Sequence, residues 1–200
     1  PNGAGKTTAL RIIATLVTPS SGSASVFGRD VVEEAPEVRR LISYLPEEAG
    51  AYRNLSGSEY LGFMASFYAG GREEARGMVG EAVRISGLGD RLRDRVKTYS
   101  RGMTRRLLVA RTLMVKPRLA ILDEPTSGLD VVHGYYVRRI IREYAEKQGV
   151  TVILSSHNML EVDFLCDRVA LIHEGRILGE GSPSELKSRY GALNLEEVFM

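Results

Sequence analysis

Apolar residues follow two different spacings along the chain, and these spacings distinguish helices from strands. Near the start, apolar side chains at helical spacing predict one helix: Ala9, Leu10, Ile12, Ile13, Leu16 and Val17. From there to residue 45 the sequence predicts only turns and short strands. Later, the apolar runs at residues 119–123 and 150–155 are typical of strands that fill a parallel sheet covered on both faces.

The middle of the chain predicts helices. Ser56 and Glu59 have the spacing of a capping box, which opens a helix that we expect to continue through Tyr68. A second helix is predicted over residues 72–86, where a glycine follows, and a third over residues 100–114. This segment therefore differs from the strand-containing parts on either side of it.

The end of the chain returns to strands. Residues 168–173 and 176–181 flank a Glu-Gly pair and predict a hairpin, and Ser182 with Pro183 starts another helix. We therefore predict an α/β fold in which residues 1–45 and 116–200 form the core. Residues 46–115 form an inserted helical subdomain.

Composition narrows the class of protein. Lys and Arg number 27 and Asp and Glu number 25, so the net charge is only +2, which gives no support for nucleic acid as a partner. No apolar stretch approaches the roughly 18–20 residues that a membrane helix needs. The single cysteine, Cys166, is typical of a reducing compartment. We expect a globular protein of the cytoplasm.

The first residues carry a phosphate-binding pattern. Gly3, Gly5, Lys6 and Thr7 match G-x-x-x-x-G-K-[ST] with its first residue missing. Backbone N–H groups at such glycines and at the start of the next helix bind phosphate oxygens. Lys6 is expected to reach the β- and γ-phosphates, and the Thr7 hydroxyl to bind Mg²⁺. Three further residues of this loop are candidates for nucleotide binding: Asn2, Ala4 and Thr8.

Two carboxylates follow the apolar run at residues 119–123. Asp123, at the end of that strand, is a candidate ligand of Mg²⁺, and Glu124 is placed to polarise the attacking water. Taken alone, the first motif could be a glycine-rich turn and the second a solvated turn before Pro125. Together they predict a P-loop NTPase core of the RecA-like kind with a mostly parallel sheet.

A third stretch makes the sequence recognisable. Ser100 and Gly102, upstream of the Asp123-Glu124 pair, look like the signature motif of the ATP-binding subunits of ABC transporters, which the whole chain resembles. Tyr99 and Arg101 depart from the usual Leu and Gly of that motif. In that family the signature motif caps the nucleotide held by a second subunit.

The resemblance extends to three more positions. Asp130 looks like the D-loop aspartate that meets the partner subunit, and His157 looks like the switch histidine that contacts the γ-phosphate and the attacking water. Glu47 stands where the family has glutamine in the loop that joins the core to the helical insert. This carboxylate keeps an oxygen for Mg²⁺ or water but loses an amide donor. His133 and His173 match no motif and are interpreted as ordinary polar residues.

The resemblance implies an ATP- and Mg²⁺-dependent ATPase subunit of a type-2 exporter, acting at the cytoplasmic face of the membrane. Its partners would be a second ATP-binding subunit, identical or homologous, and a separate transmembrane permease. The chain would be a fragment of a longer subunit that lacks its first strands. Three alternatives stay open: a soluble ABC ATPase of translation or DNA repair, a regulatory subunit without useful turnover, and an importer.

Overall fold

A computed structural model describes residues 3–199. Its regular elements run in the following order: α1 Lys6–Ile13, β1 Ser25–Val26, β2 Arg29–Asp30, α2 Ala35–Leu41, β3 Ile42–Leu45, α3 Gly57–Ala65, α4 Arg72–Ser86, two short 3₁₀ turns at Gly89–Arg93 and Val96–Thr98, α5 Arg101–Leu113, β4 Leu119–Asp123, α6 Val131–Gln148, β5 Thr151–Ser155, α7 Met159–Leu165, β6 Val169–His173, β7 Arg176–Gly181, α8 Pro183–Tyr190 and α9 Leu195–Phe199.

A parallel three-stranded sheet in the order β3-β4-β5 positions the site. Leu45 pairs with Leu122, and Asp123 pairs with Ser155, so the carboxyl ends of all three strands meet at one edge. β1 with β2 and β6 with β7 form separate antiparallel pairs. The predicted α/β class, the parallel pairing and the late hairpin are confirmed.

Successive side chains of β4 point to opposite faces of the sheet and so contribute to two separate layers of the core. Leu119 and Ile121 pack into one cluster with residues of α1 and α2, while Ala120 and Leu122 pack into a larger one with the helices α3 to α6. All five residues of β4 are buried, as the apolar run predicts for a sheet covered on both faces. Because Leu45 also joins the larger cluster, the core is continuous across the proposed boundary at residue 45, and the division into domains stays a prediction.

Three helix predictions were wrong in detail. The first predicted helix ends at Ile13, so Leu16 and Val17 lie outside it. The turns expected before residue 45 include the two-turn helix α2, whose seven residues are too few to show a helical period and which begins with Pro36 in its first turn. The helix opened by the Ser56–Glu59 capping box ends at Ala65, not Tyr68. There the Ser66 hydroxyl donates a hydrogen bond to the Phe63 carbonyl at 2.6 Å, and the backbone continues as a turn.

No helix among residues 3–199 is both long enough and apolar enough to cross a membrane.

The start of α3 packs too closely for a side chain at Gly57. A Cβ there would overlap the Tyr99 hydroxyl and lie 2.9 Å from Leu92 Cδ2, whereas a Cβ at Gly62 in the same helix would meet nothing within 4 Å. We therefore expect Gly57→Ala to lower the free energy of unfolding by about 1–3 kcal/mol through overpacking. Gly62→Ala should raise it by about 0.5–1 kcal/mol through helix propensity.

Urea denaturation of the two variants checks this pair of predictions. Equal effects of the same sign at both positions would show that the contact with Tyr99 does not constrain the helix start.

Candidate functional site

The loop before α1 has the backbone that phosphate binding needs. Gly3 and Gly5 adopt left-handed conformations, with φ of 80° and 97°, and Lys6 begins the helix directly afterwards. The carbonyl of buried Ala4 accepts a hydrogen bond from the Gly175 N–H at 3.0 Å, which ties the loop to the β6–β7 turn. The start of α1 therefore presents its positive end beside this loop. Asn2 lies outside the described residues.

Asp123 is the centre of the hydrogen bonds at the sheet edge. Its side chain is fully buried, and its Oδ1 accepts hydrogen bonds from Thr7 Oγ1 at 3.2 Å and Ser155 Oγ at 2.5 Å. The Tyr44 hydroxyl donates to Oδ2 at 3.4 Å. Burial raises the pKa of Tyr44, so this phenol is a neutral donor at physiological pH. The fold thus brings Thr7 and Asp123 together from positions far apart in the sequence.

This pair of oxygens fits Mg²⁺. The ion usually keeps several waters and takes only one or two protein carboxylates plus the oxygens of a phosphate ligand. A Thr7 hydroxyl beside a fully buried Asp123 carboxylate supplies hard oxygen donors of that kind. In residues 3–199 no group of three or more His, Cys, Asp or Glu side chains could hold a metal by itself. The chemistry of the donors therefore suits Mg²⁺ brought with a nucleotide and does not suit a dedicated metal cage.

Glu124 and His157 form a close pair next to Asp123. Glu124 adopts a left-handed conformation with φ of 47°, and its backbone N–H donates to Ser155 at the end of β5. Its Oε2 lies 2.8 Å from His157 Nδ1 and 3.4 Å from the His157 N–H. The Glu124 side chain is 7% exposed and that of His157 is 59% exposed. The Glu124 carboxylate is therefore buried, and the His157 imidazole lies between it and solvent.

Arg105 holds this region together, and no motif in the sequence analysis singles it out. Its guanidinium donates to the carbonyls of Asp123, Glu124 and Pro125 at 3.1, 2.6 and 2.7 Å. It also donates to the carbonyls of Pro46 and Glu47 at 3.3 and 3.0 Å. One side chain from α5 thereby joins the loop after β3 to the loop after β4.

Arg105 is a buried charge that forms no direct ion pair with any residue in the range 3–199. The residue is 7% exposed, and burial lowers the pKa of its guanidinium, while nearby carboxylates including Glu161, Glu47 and Asp123 oppose that shift. The signal in the sequence is its spacing, because Arg105 shares the face of α5 that contains the apolar residues Leu108 and Val109. An arginine on a core face is a candidate for a structural role of this kind.

The signature-motif residues lie beside the D-loop residues of the same chain. Ser100 caps α5 by accepting the Met103 N–H at 3.2 Å. A Cβ at Gly102 would overlap the ring of His133, whose Nδ1 lies 2.7 Å from Asp130 Oδ2. The backbone and ring N–H groups of His133 lower the pKa of Asp130. His133, to which the sequence assigns no role, thus links Asp130 to the start of α5.

Glu47 contacts the D-loop. Its Oε1 accepts a hydrogen bond from Ser127 Oγ at 3.4 Å, and its backbone carbonyl is one of those bound by Arg105. Arg101 lies directly over Gly128, so closely that a Cβ at Gly128 would overlap the guanidinium. Two residues that depart from the family pattern, Glu47 and Arg101, therefore both contact the segment between Glu124 and Asp130.

The candidate residues form two groups. The first contains Thr7, Asp123, Glu124 and His157, joined by the hydrogen bonds and the Glu124–His157 contact described above. The second contains four residues around the D-loop and the start of α5: Glu47, Ser100, Gly102 and Asp130. Lys6 is half-buried at the start of α1, and Thr8 is exposed one residue after Thr7. Arg105 connects the two groups because it binds the backbone of Asp123, Glu124 and Glu47.

The fold and this site define a P-loop NTPase. A solved dimeric ATP-binding cassette in a post-hydrolysis state, bound to ADP and Pi, is 25% identical and superposes with a TM-score of 0.79 over 91% of this chain and 82% of that one. The predicted P-loop NTPase fold is confirmed.

The chain belongs to the ABC transporter family, whose model matches residues 1–127. It is 44% identical to the daunorubicin/doxorubicin resistance ATP-binding protein DrrA of Streptomyces peucetius over 96% of the chain and 58% of that protein. It is 37% identical to the linearmycin resistance ATP-binding protein LnrL of Bacillus subtilis over 96% of the chain and 61% of that protein. The chain thus spans about three fifths of the length of these relatives. The cassettes of this family bind ATP and hydrolyse it.

Replacement of Arg105 should show how much its hydrogen bonds to the two loops contribute to the free energy of unfolding. Arg105→Met removes the guanidinium donors that bind five backbone carbonyls, several of them in buried hydrogen bonds, and we expect the free energy of unfolding to fall by about 2–4 kcal/mol. Arg105→Lys should recover little, because an ammonium lacks the planar fork that reaches two loops at once. Urea denaturation measures both variants.

Arg139→Met is the matched control, since Arg139 is exposed on α6, where it forms an ion pair with Glu143 and lies 5.6 Å from the centre of the Tyr136 ring. Its effect should stay below about 1 kcal/mol. An Arg105→Met effect as small as that of the control would contradict the structural role of Arg105.

Proposed function

We propose that this chain is the ATP-hydrolysing part of a subunit that powers an ABC exporter through ATP-driven dimerisation. The observation that carries the proposal is the Glu124–His157 pair, held at 2.8 Å next to the Thr7–Asp123 pair. A buried carboxylate beside an imidazole is suited to orient water and accept its proton. Lys6 and the backbone N–H groups of residues 3–8 would bind the phosphates of ATP, and Asn2 is proposed as a further member of that loop.

Glu124 has the role of general base in this proposal. Its Oε2 is fixed by His157 and its backbone by Ser155 and Arg105, so the carboxylate has little freedom to turn away from the site. His157 is proposed to position the attacking water and to bind the γ-phosphate. Thr7 and Asp123 would hold Mg²⁺, which when bound neutralises charge that develops on the phosphates.

A second ATP-binding subunit is proposed to complete the site. Ser100, Gly102 and Asp130 lie in their own group, where they would meet nucleotide held by the partner copy. Two apolar residues next to Asp130 support an interface here, since Val131 is 84% exposed and Val132 is 61% exposed. The partner would be an identical or closely homologous subunit, closed on this surface by bound ATP. Glu47 would report the nucleotide state to the D-loop through its contact with Ser127.

A transmembrane permease is the other proposed partner. A groove of about 510 Å³ lies between the loop after β3 and the start of α5, and Glu47, Ala51, Tyr99 and Leu108 are among its lining residues. Beside it, three partly exposed aromatic rings stack edge to face: Tyr52, Phe63 and Phe67. A groove with an aromatic rim is suited to receive a short helix from a membrane protein, which would place this subunit peripherally at the cytoplasmic face of the membrane.

The resistance functions in the names of DrrA and LnrL favour export over the alternatives of import or of a soluble ATPase in translation or DNA repair. The mild net charge gives no support for nucleic acid as a partner. A regulatory subunit without turnover is disfavoured because the full set of Lys6, Asp123, Glu124 and His157 is present.

Replacement of Glu124 by Gln separates binding from hydrolysis. The amide keeps the shape and an acceptor for His157 but cannot take up the proton of the water, so we expect kcat for ATP hydrolysis to fall by about 10²–10⁴-fold. ATP with Mg²⁺ should still bind and should now trap a dimer. Phosphate release and size-exclusion chromatography with ATP measure the two effects on the full-length protein.

Glu146→Gln on α6 is the control for loss of a carboxylate, because Glu146 is exposed and forms an ion pair with Arg142 on the same helix. If Glu124→Gln hydrolyses ATP at the rate of the control, Glu124 is not the base.

A charged side chain placed in the groove should prevent binding of the permease without affecting ATP hydrolysis. Ala51→Glu places a charge in the groove, and we expect a tagged full-length subunit with this change to lose at least about 90% of the multi-span membrane protein that the wild type recovers in mild detergent. Basal ATPase activity of the isolated subunit should change by less than about 3-fold.

The matched control is Ile177→Glu, since Ile177 is 64% exposed on β7, away from the groove. Recovery of ribosomes or nucleic acid in place of a membrane protein would contradict the exporter proposal and leave the ATPase chemistry standing.

A further inference from the structure

Glu161 is a fully buried carboxylate that no motif or proposed catalytic step uses. It lies in the first turn of α7, directly behind the segment that carries His157, and its exposed fraction is 0%. Burial of a carboxyl is unfavourable unless hydrogen bonds compensate for lost water. Its Oε2 receives the Ser156 hydroxyl at 2.5 Å, while Oε1 has no hydrogen-bond partner within the described part of the chain. This position therefore keeps a polar group where an apolar one would pack.

The start of α7 differs from an ordinary capping box in one respect. At α3 and α8 the third-residue glutamate accepts the cap residue's N–H directly, at 2.7 and 2.8 Å. At α7 the cap residue is Asn158, and its N–H donates to Ser156 Oγ at 3.0 Å, whose hydroxyl then contacts Glu161. The Ser156 hydroxyl thus lies between Glu161 and the N–H of the cap residue Asn158. The resulting series of hydrogen bonds contains one more residue than a capping box does.

The residue enclosed by this longer chain of contacts is His157. Ser156 precedes it and Asn158 follows it, so the hydrogen bonds of both neighbours end on Glu161. His157 itself directs its N–H and its Nδ1 at the same oxygen of Glu124. The peptide group between His157 and Asn158 is therefore fixed through Ser156 and the buried Glu161, while the His157 N–H and the exposed ring reach Glu124.

Burial raises the pKa of Glu161, and the neighbouring hydroxyls oppose that shift by favouring the charged, accepting form of the carboxyl. These hydroxyls belong to Ser156 and Thr126, while the charge of Glu124 raises the pKa and Arg138 lowers it. Thr126 is in the turn that follows Glu124. Residues on the segments of both members of the Glu124–His157 pair therefore influence the pKa of Glu161.

We propose that Glu161 is a positioning residue for ATP hydrolysis, which acts through the Ser156 hydroxyl to hold His157 against Glu124. The inference rests on the proposed function, since it assigns a cause to the geometry of that same site. Glu161 touches no nucleotide in this proposal. Its loss should therefore lower the rate of the chemical step and leave ATP binding nearly unchanged.

The test compares four variants of the full-length protein: Glu161→Gln, Glu161→Leu, Ser156→Ala and His157→Ala. The amide oxygen of Glu161→Gln can still accept the Ser156 hydroxyl, so its kcat should stay within about 3-fold of wild type. Glu161→Leu and Ser156→Ala should each lower kcat about 10-fold or more, with KM for ATP changed by less than about 3-fold. Ser156→Ala carries the test if the buried leucine prevents folding, which circular dichroism would reveal.

A double-mutant cycle distinguishes positioning from a general loss of structure. In the His157→Ala background, Ser156→Ala should cost no further rate in single-turnover assays, because the residue through which it acts is already gone. The inference would be overturned if the rate losses of Ser156→Ala and His157→Ala multiply in the double variant. It would also be overturned if Ser156→Ala alone leaves kcat unchanged. The ring resonances of His157 give a readout that needs no activity: they should shift in Ser156→Ala and stay in place in Glu161→Gln, and the reverse pattern also overturns it.

The proposed ATPase function and the positioning role of Glu161 are contradicted by different results. A folded wild-type protein that does not hydrolyse ATP contradicts the proposed function before any variant is compared. A wild type that hydrolyses ATP, beside a Ser156→Ala variant of equal kcat, contradicts only the positioning role of Glu161.

Discussion

A desolvated guanidinium at the centre of the molecule fixes the spacing between the strand ends that carry the chemistry. Arg105 donates to carbonyls on both sides of the sheet edge, in the loop after β3 and in the turn after β4. A buried charge is tolerated only when its hydrogen bonds are satisfied, so each loop must keep its carbonyls turned toward α5. This requirement explains why Glu124 can retain a left-handed backbone, which is unfavourable for a residue with a side chain.

The parallel sheet supplies the rest of the geometry. Because β3, β4 and β5 run in the same direction, Tyr44, Asp123 and Ser155 reach one edge together, where the loops that follow can exchange hydrogen bonds. The phosphate-binding loop approaches the same edge through α1, and Thr7 bonds to Asp123 there. The candidate catalytic side chains and the residues that fix them thus come from different elements. The sheet positions Asp123 and Glu124, while Arg105 on α5 and Glu161 on α7 bind the neighbouring segments from the buried side.

Local patterns made most of the elements and the short motifs predictable. The β4 run, the capping box at Ser56 and the Gly-Lys-Thr turn each have a period or a sequence of their own, which tertiary contacts did not override. The short helix α2 was missed because two turns show too little periodicity. Arg105 and Glu161 were missed for a different reason. Their roles depend on partners that lie 18 to 59 residues away for Arg105, and, for Glu161, on a hydroxyl within a turn that has no standard motif.

Glu47 shows how one departure from a family pattern can be accommodated by its surroundings. A glutamine there would offer an amide donor, whereas the carboxylate is an acceptor only. In this chain the Ser127 hydroxyl supplies a donor, and the positive charge of Arg105 lies close enough to be influenced by the carboxylate. Arg105 therefore binds the backbone carbonyl of Glu47, and the side-chain charge of Glu47 opposes the cost of burying Arg105. The Glu47–Ser127 hydrogen bond thus links the loop after β3 to the D-loop, and a nucleotide that displaced Glu47 would disturb the position of Ser127 as well.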